Sequence, residues 1–591
     1  MFQSTSNPSR ECHYFLTGLH HAKCTRLTFV TCSKFTKVIE DWQRIPSLLR
    51  EACRIATEQR PGPTHLELPE DIAALDVSEQ TFLLPRYRVR RPVPDEKAVS
   101  LAAEMVLTAK RPLLLIGAGA QRTSTQNMLR KFVDETGIPF VTTQMGKGVV
   151  PENHPQNLGS AALSSGDGVH CALDVSDCIV MVGHDKIEKP PLFMHGEDKR
   201  TVIHVNHSDG QVDQIYGPHW AVVGDIANAM WQLKNLLTTA VRAKGGSNGW
   251  DFRFFYRARD ELRKSIEESA NDDQFPMHIG RVVADMRSVV PNDGIVTLDN
   301  GLYKLAFARG YDTYLPNTLL LDNALATMGA GLPSGMAAAL MHPEKKVVTV
   351  CGDGGFAMGG NDFETAVRLR LNLVVVVVND NGYGMIKWKQ GHAGFQDGGH
   401  LNFGNPDLVQ FAAAFGAKGH RVQKPGELST ILDGALREGG VHLVDVPISY
   451  TKFDHDLADG LKELRAKLGG IRDEMKLDDP AAWDPSFSAA PGSPAPVQAE
   501  GVKGGDAAPS GAGSAGPVAS EERDPDAVRL GILEQYPIYV AGKAVTPNGD
   551  LKVHNKMNGK LVASVPLASA EHIEPAIAAA HAARKPMAAL A

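Results

Sequence analysis

The sequence predicts an α/β protein of tandem domains, each a doubly wound parallel sheet with helices on both faces. Three observations carry this. Short apolar runs closed by Gly, Asp or Asn recur along residues 99–235 and again along 277–450. Helical spacing separates them, and that alternation is the mark of a parallel sheet. The composition is that of an ordinary globular chain, with 591 residues, 43% hydrophobic and 22% charged. Such a chain is too long for a single core.

The elements follow in order. Ile45 to Glu58 has helical apolar spacing, with Pro46 near the start where it is tolerated. "PGPTHLELPEDI" (61–72) reads as a turn, a strand and a stop, and "RRPVPDEKA" (90–98) as a linker. "RPLLLIGAGA" (111–120) is a buried strand ending in glycines, followed by a helix over 124–136 and the strand "IPFVTT" (138–143). "DCIVMVGHD" (177–185) and "TVIHVNHSD" (201–209) are two more strands. "GAGAQR" lacks a full dinucleotide fingerprint, because position 122 is Arg, so a tight strand-to-helix turn is the reading. Residues 240–275 form a polar helical connector. The next strands are "GIVTLDNG" (294–301), "KKVVTVCGDG" (345–354), "NLVVVVVNDN" (372–381) and "VHLVDVPISY" (441–450). Pro491 to Ser520 is dominated by Pro, Ala, Gly and Ser and reads as a flexible tether. Beyond it, "YPIYVAGKAV" and "LKVHNKMNGKLVASVPLAS" read as strands, and "AEHIEPAIAAAHAARKPMAAL" as a helix.

Composition excludes several classes. A net charge of −7 argues against a nucleic-acid binder. No apolar run reaches the length of a membrane span. The seven cysteines are scattered and include no CxxC pair, as in reduced thiols of a cytoplasmic protein. Residues 1–38 hold Glu11 as their single acidic residue, which leaves an organellar transit segment open.

The chemistry centres on Val347–Trp388. Strand 346–351, a helix over 361–370 and strand 373–378 make one right-handed βαβ unit. Asp353 and Asp380, 27 positions apart, then lie together beyond the carboxyl ends of neighbouring strands. Two adjacent carboxylates repel unless a proton or cation lies between them. A magnesium ion with phosphate oxygens answers this, and the loop glycines Gly352, Gly354 and Gly355 let backbone amides approach an anion. The alternative is a pair of strand-end turns rich in Gly, Asn and Asp.

The spacing from GDG to the Asn/Asp-rich close resembles the thiamine-diphosphate-binding motif. Residues 40–460, roughly 70% of the chain, resemble the large subunit of acetolactate synthase, especially its catabolic-type branch. The likeness is carried by "RIPSLLREACRIATEQRPGPTHLELPEDI", "LDNALATMGAGLPSGMAAAL", "NPDLVQFAAAFGAKGHRV" and "VHLVDVPISY". It implies tandem domains of the thiamine-diphosphate enzyme type. It implies that Asp353, the Asp380 side chain and the backbone oxygen of Gly382 bind Mg2+, and that Gly352 lies beside them in the same loop. The amides of Gly354 and Gly355 would hold the diphosphate. Gly301 would open the loop at its other end, and Asn300 would offer its backbone oxygen to the aminopyrimidine. Met328 would wedge beneath the cofactor, and Met385 would line the substrate space. Core filling is the other reading of both methionines. The implied reaction joins two pyruvates into 2-acetolactate and carbon dioxide, in a homodimer or homotetramer. Another thiamine-diphosphate 2-keto acid decarboxylase or carboligase is the alternative, as is a non-catalytic cofactor-binding partner. "GYGMIKWKQ" departs from the biosynthetic enzymes in the place of its tryptophan, and nothing in 99–235 demands FAD.

The implied domains are an atypical segment (1–35), a remnant of the pyrimidine-binding domain (36–90), a central α/β domain (91–240), a diphosphate-binding domain (270–460), a linker (485–525) and a C-terminal piece (530–591). The family's catalytic glutamate lies near the start of the pyrimidine domain. None of Glu11, Glu40, Glu51, Glu58, Glu67 or Glu70 matches its context, so no catalytic residue is assigned and impaired turnover is expected of the chain alone. The C-terminal piece resembles the opening of an aldehyde dehydrogenase in "YPIYVAGKAV" and "GKLVASVPLASAEHIEPAIAAAHAA", although Asn555-Lys556 replaces the usual Asn-Pro. A pattern joined late in one family and left early in another is that of a fused or mispredicted reading frame, or of a two-part protein.

Overall fold

The computed structural model describes residues 29–477, apart from residue 60, residues 78–90, short stretches between 186 and 215, and residues 247, 324 and 396–398. It also describes the backbone of residues 2–5, 538–540, 543–545, 550–554 and 561–566. The chain divides into two units, Met1–Ala495 and Pro496–Ala591.

The first unit contains three parallel sheets. The smallest joins β1 (Phe2–Thr5), β2 (Phe35–Val38) and β3 (Thr64–Pro69) in the order β1-β3-β2. The helix Ile45–Thr57, with Pro46 in its first turn, packs Leu48 and Ala52 against Ile39 and Leu66. Proline is tolerated there because first-turn amides have no intrahelical acceptor to lose.

The central sheet holds β4 (Pro112–Ile116), β5 (Phe140–Thr143), β6 (Asn157–Ala161), β7 (Cys178–Val182), β8 (Thr201–Asn206) and β9 (Trp220–Val223). Their order is β6-β5-β4-β7-β8-β9, with every pair parallel. Alternate residues feed two separate cores. Leu114, Ile116, Val180 and Val182 face one side, and Leu113, Leu115, Ile179 and Met181 the other. Covering both faces explains why these strands read as unbroken apolar runs. "GAGAQR" forms a tight 3₁₀ turn at Ala118–Ala120, and the Gly119 amide donates to Gly183 O at 2.8 Å.

The C-terminal sheet holds β10 (Ile295–Leu298), β11 (Leu319–Leu320), β12 (Val347–Gly352), β13 (Leu373–Asn379), β14 (Lys418–Arg421) and β15 (Val441–Pro447). Its order is β11-β10-β12-β13-β15-β14, again parallel throughout. Val374, Val376 and Val378 face one core, and Leu373, Val375 and Val377 the other.

Two expectations are corrected. The helix placed at 361–370 begins at Asp353. It runs to Gly359, passes a 3₁₀ turn at Gly360–Asp362 and continues from Phe363 to Arg368. Two glycines disfavour a helix start, but burial of Phe356 and Phe363 overrides them. Gly354 and Gly355 therefore lie in a helical first turn rather than in a loop. The polar connector at 240–275 is instead part of the covering layer. Its helix Arg253–Ala270 buries Phe254, Phe255, Ala258 and Leu262 in a core of the central sheet. A helix at Leu461–Glu474 reaches the same core through Leu468 and Ile471.

A buried ion pair of the central sheet bonds across to the C-terminal sheet's domain through Ala308 and Thr313. Lys147 and Glu152 are each 2% exposed. The ammonium donates to Glu152 Oε1 (2.7 Å), Ala308 O (3.0 Å) and Ser160 Oγ (3.2 Å). Glu152 Oε2 accepts the amide and the hydroxyl of Thr313 at 2.6 and 2.7 Å.

In the second unit β16 (Ile538–Val540) pairs antiparallel with β17 (Lys543–Val545), and β18 (Asp550–His554) with β19 (Leu561–Pro566). The tether and the final helix read from the sequence lie outside the described residues. Among the described residues no helix is long and apolar enough to cross a membrane.

Candidate functional site

The topology opens a crevice in the C-terminal sheet. From β10 the chain passes outward to β11, then returns to the other side of β10 as β12. Such a reversal opens a crevice beyond the carboxyl ends of the two strands, the usual ligand position in open α/β sheets. Asp299, Asn300 and Gly301 follow β10, and Asp353 follows β12.

Asp353 is the first residue of its helix and is 3% exposed. Its Oδ1 accepts the Gly354 amide at 2.8 Å, and its Oδ2 accepts Asn405 Nδ2 at 2.8 Å and the Gly382 amide at 3.3 Å. A carboxylate in the first turn meets the positive end of the helix dipole. Asp380 follows β13, the neighbour of β12. Burial, then the charge of Asp353, pushes the Asp380 carboxyl up to about 7, against the pull of Lys387. The loop beyond it turns through Asn381, at φ +54°, a left-handed conformation that Asn tolerates. Residues 401–403 clamp this loop. The Tyr383 amide donates to Leu401 O (3.0 Å), and the Phe403 amide to Asn381 O (3.1 Å). Gly382 O accepts the Gly384 amide at 3.2 Å, which leaves it one lone pair.

On the β10 side, Asp299 is fully buried. Its carboxylate accepts the amides of Asn300 (2.6 Å), Gly329 (3.0 Å) and Gly331 (3.3 Å). Burial raises its carboxyl, and these amides oppose the rise. Asp299 thereby ties the Met328 loop to the end of β10. Asn300 Nδ2 donates to Thr327 O at 2.9 Å, and its Oδ1 accepts Lys304 Nζ at 2.7 Å. A Cβ on residue 355 would lie 2.8 Å from Asp299 Oδ2, so only glycine lets the helix start pass this close.

All ten residues singled out in the sequence line one cavity: Asn300, Gly301, Met328, Gly352, Asp353, Gly354, Gly355, Asp380, Gly382 and Met385. Tyr303, Tyr383 and Tyr450 line it too. The Tyr303 phenol oxygen accepts the Gly352 amide at 3.0 Å. Three contributors went unread in the sequence: Asp299, Tyr303 and Asn405. Asp299 stood inside the quoted "TLDNG", and Asn405 inside "NPDLVQF".

The donor set fits a hard divalent ion. Among the described residues no three His, Cys, Asp or Glu side chains converge on a metal position. Two carboxylates and a carbonyl instead suit magnesium, which keeps phosphate and water oxygens in its shell. The central sheet has a reversal of its own, filled from within the chain. At its own reversal, between β4 and β7, the buried Glu188 carboxylate accepts the Ala118 amide (2.8 Å) and the Thr143 hydroxyl (2.5 Å). Those two donors are therefore engaged within the chain.

Comparison with known proteins agrees with this architecture. Residues 99–233 match the central domain of thiamine pyrophosphate enzymes, and residues 299–446 match their C-terminal TPP-binding domain. The chain thus carries two domains of the thiamine pyrophosphate enzyme class. Within that class it is homologous to acetolactate synthases. It is 28% identical over 437 residues to the acetolactate synthase of Bacillus subtilis, covering 74% of this chain and 75% of that protein. It is 27% identical to the catabolic acetolactate synthase of Raoultella terrigena, over 73% of this chain and 76% of the relative. With a probable acetolactate synthase large subunit of Methanococcus aeolicus the identity is 26%, over 71% and 72%.

Proposed function

We propose that this chain is a thiamine-diphosphate- and Mg2+-dependent carboligase that joins two molecules of pyruvate, or of a related 2-keto acid, as a homodimer or homotetramer. The observation that carries the reading is the pair Asp353 and Asp380 at the ends of adjacent strands, in one cavity with Asn300, Gly301, Gly354 and Gly355. Asp353, Asp380 and the carbonyl of Gly382 would hold the metal. The amides of Gly354 and Gly355, in the first turn of a helix, would take the diphosphate. Met328 and Met385 would shape the apolar part of the cavity. When bound, thiamine diphosphate supplies an electron sink for decarboxylation. This chain's part is to grip, orient and dehydrate.

A second reading rests on a specific observation. No glutamate lines this cavity among the described residues. Glu51 and Glu58 pair with Arg54 on a helix, and Glu67 is buried in β3. The chain alone then binds the cofactor without fast turnover, and a second polypeptide supplies the proton-transfer group. One experiment tests both. Calorimetry measures binding of thiamine diphosphate with Mg2+, and acetolactate formation is assayed with the chain alone and mixed with a full-length acetolactate synthase carrying a disabled diphosphate site. Binding with activity only in the mixture supports the second reading. Activity alone supports the first, and no binding refutes both.

A further inference from the structure

We infer that Lys387 is a second cationic anchor for the cofactor's diphosphate, set against the loop that carries Asp380 and Gly382. The inference rests on the reading of the cavity given above. Helix Gly384–His392 starts directly after that loop, and side chains of a helix lean toward its N-terminus. Lys387 therefore folds back over the loop. It lies so close to Gly382 that a Cβ there would strike its Nζ, come within 2.7 Å of its Cε and lie 2.6 Å from Leu401 O. Glycine at 382 leaves room both for the end of the lysine and for the Leu401 carbonyl.

The ammonium has no hydrogen bond or ion pair with any described residue. Its charge is felt at Asp380. It lines a cavity of about 620 Å³ shared with Asp380, Gly384 and Tyr450, and the cofactor cavity borders on the same three residues. A half-buried cation with no counter-ion is costly, and the remaining space in front of it is where an anion would lie. Charge balance points the same way. Two carboxylates neutralise one divalent ion, so the diphosphate's own charge stays uncompensated, and a lysine is a suitable point charge for phosphate.

The sign of this effect differs between ligands. Lys387 repels a bare divalent ion and attracts the diphosphate. Calorimetry on the full chain, with Mn2+ alone and with thiamine diphosphate in saturating Mg2+, separates the two. Lys387→Met is expected to bind Mn2+ several-fold more tightly and thiamine diphosphate about tenfold more weakly. Lys387→Arg keeps both near the parent values. Affinities that stay unchanged in Lys387→Met, or that move in the same direction, overturn the inference and leave the functional reading standing. Failure of the unaltered chain to bind thiamine diphosphate overturns both.

Discussion

Asn405 reaches across the mouth of the C-terminal sheet and donates from Nδ2 to Asp353 Oδ2 at 2.8 Å. The same Nδ2 lies 2.9 Å from Asn379 Oδ1 and 3.3 Å from Asn381 Oδ1. It thus ties the end of β12 to the loop after β13. Replacing Asn405 with Ala removes one of the three donors that orient Asp353. Loss of such an orienting partner typically weakens metal binding by roughly 10- to 100-fold. The expected outcome is a loss in that range for Mn2+, read by calorimetry, with the thermal midpoint displaced by only a few degrees.

Asp380 sets a pH dependence. With its carboxyl pushed up to about 7, a metal must displace a proton at neutral pH. Divalent-ion affinity should therefore fall about tenfold per unit as pH drops below 7 and level off above it. Asp380→Asn binds weakly at every pH, and its profile is flat across this window. A parent profile flat from pH 5 to 8 would contradict the assignment.

Lys147 and Glu152 form a buried pair between two sheets. Removing one partner strands the other charge, at a cost of about 3–5 kcal/mol. Lys147→Met should lower the urea midpoint by that equivalent. The double variant Lys147→Met with Glu152→Leu should recover part of the loss, as read by far-UV circular dichroism.

Glu188 is held in the central sheet with its carboxyl pushed up to about 7, chiefly by burial. The folded chain thus keeps this proton more tightly than the unfolded chain, whose glutamate has an ordinary value. Stability from this group is full below the ordinary range and is lost as pH rises through about 7. Two to three pKa steps correspond to about 3 kcal/mol. Glu188→Gln keeps an acceptor for Ala118 and cannot ionise. Its thermal midpoint should therefore fall less than the parent's between pH 5 and pH 8 in scanning calorimetry.

The interior strands were legible because burial on both faces demands unbroken apolar runs, as in Leu373–Val378. The edge strands were not. Asn157–Ala161 and Lys418–Arg421 carry few apolar residues, and only their pairing with β5 and β15 makes them strands. The ten site residues were legible through their spacing and their likeness to a family. Asp299, Tyr303 and Asn405 escaped because their roles come from tertiary contacts. Nothing near Asn405 in sequence announces a carboxylate 52 positions away. The early helix start escaped for a different reason. Local propensity argues against Gly354-Gly355, and tertiary burial decides.

The bond network around Lys147 has a mechanical consequence. A hinge opening between the two sheets would take the Ala308 carbonyl from the ammonium and both Thr313 donors from the Glu152 carboxylate, leaving a buried pair short of partners. Separating the two layers therefore carries a penalty in unmet buried hydrogen bonds.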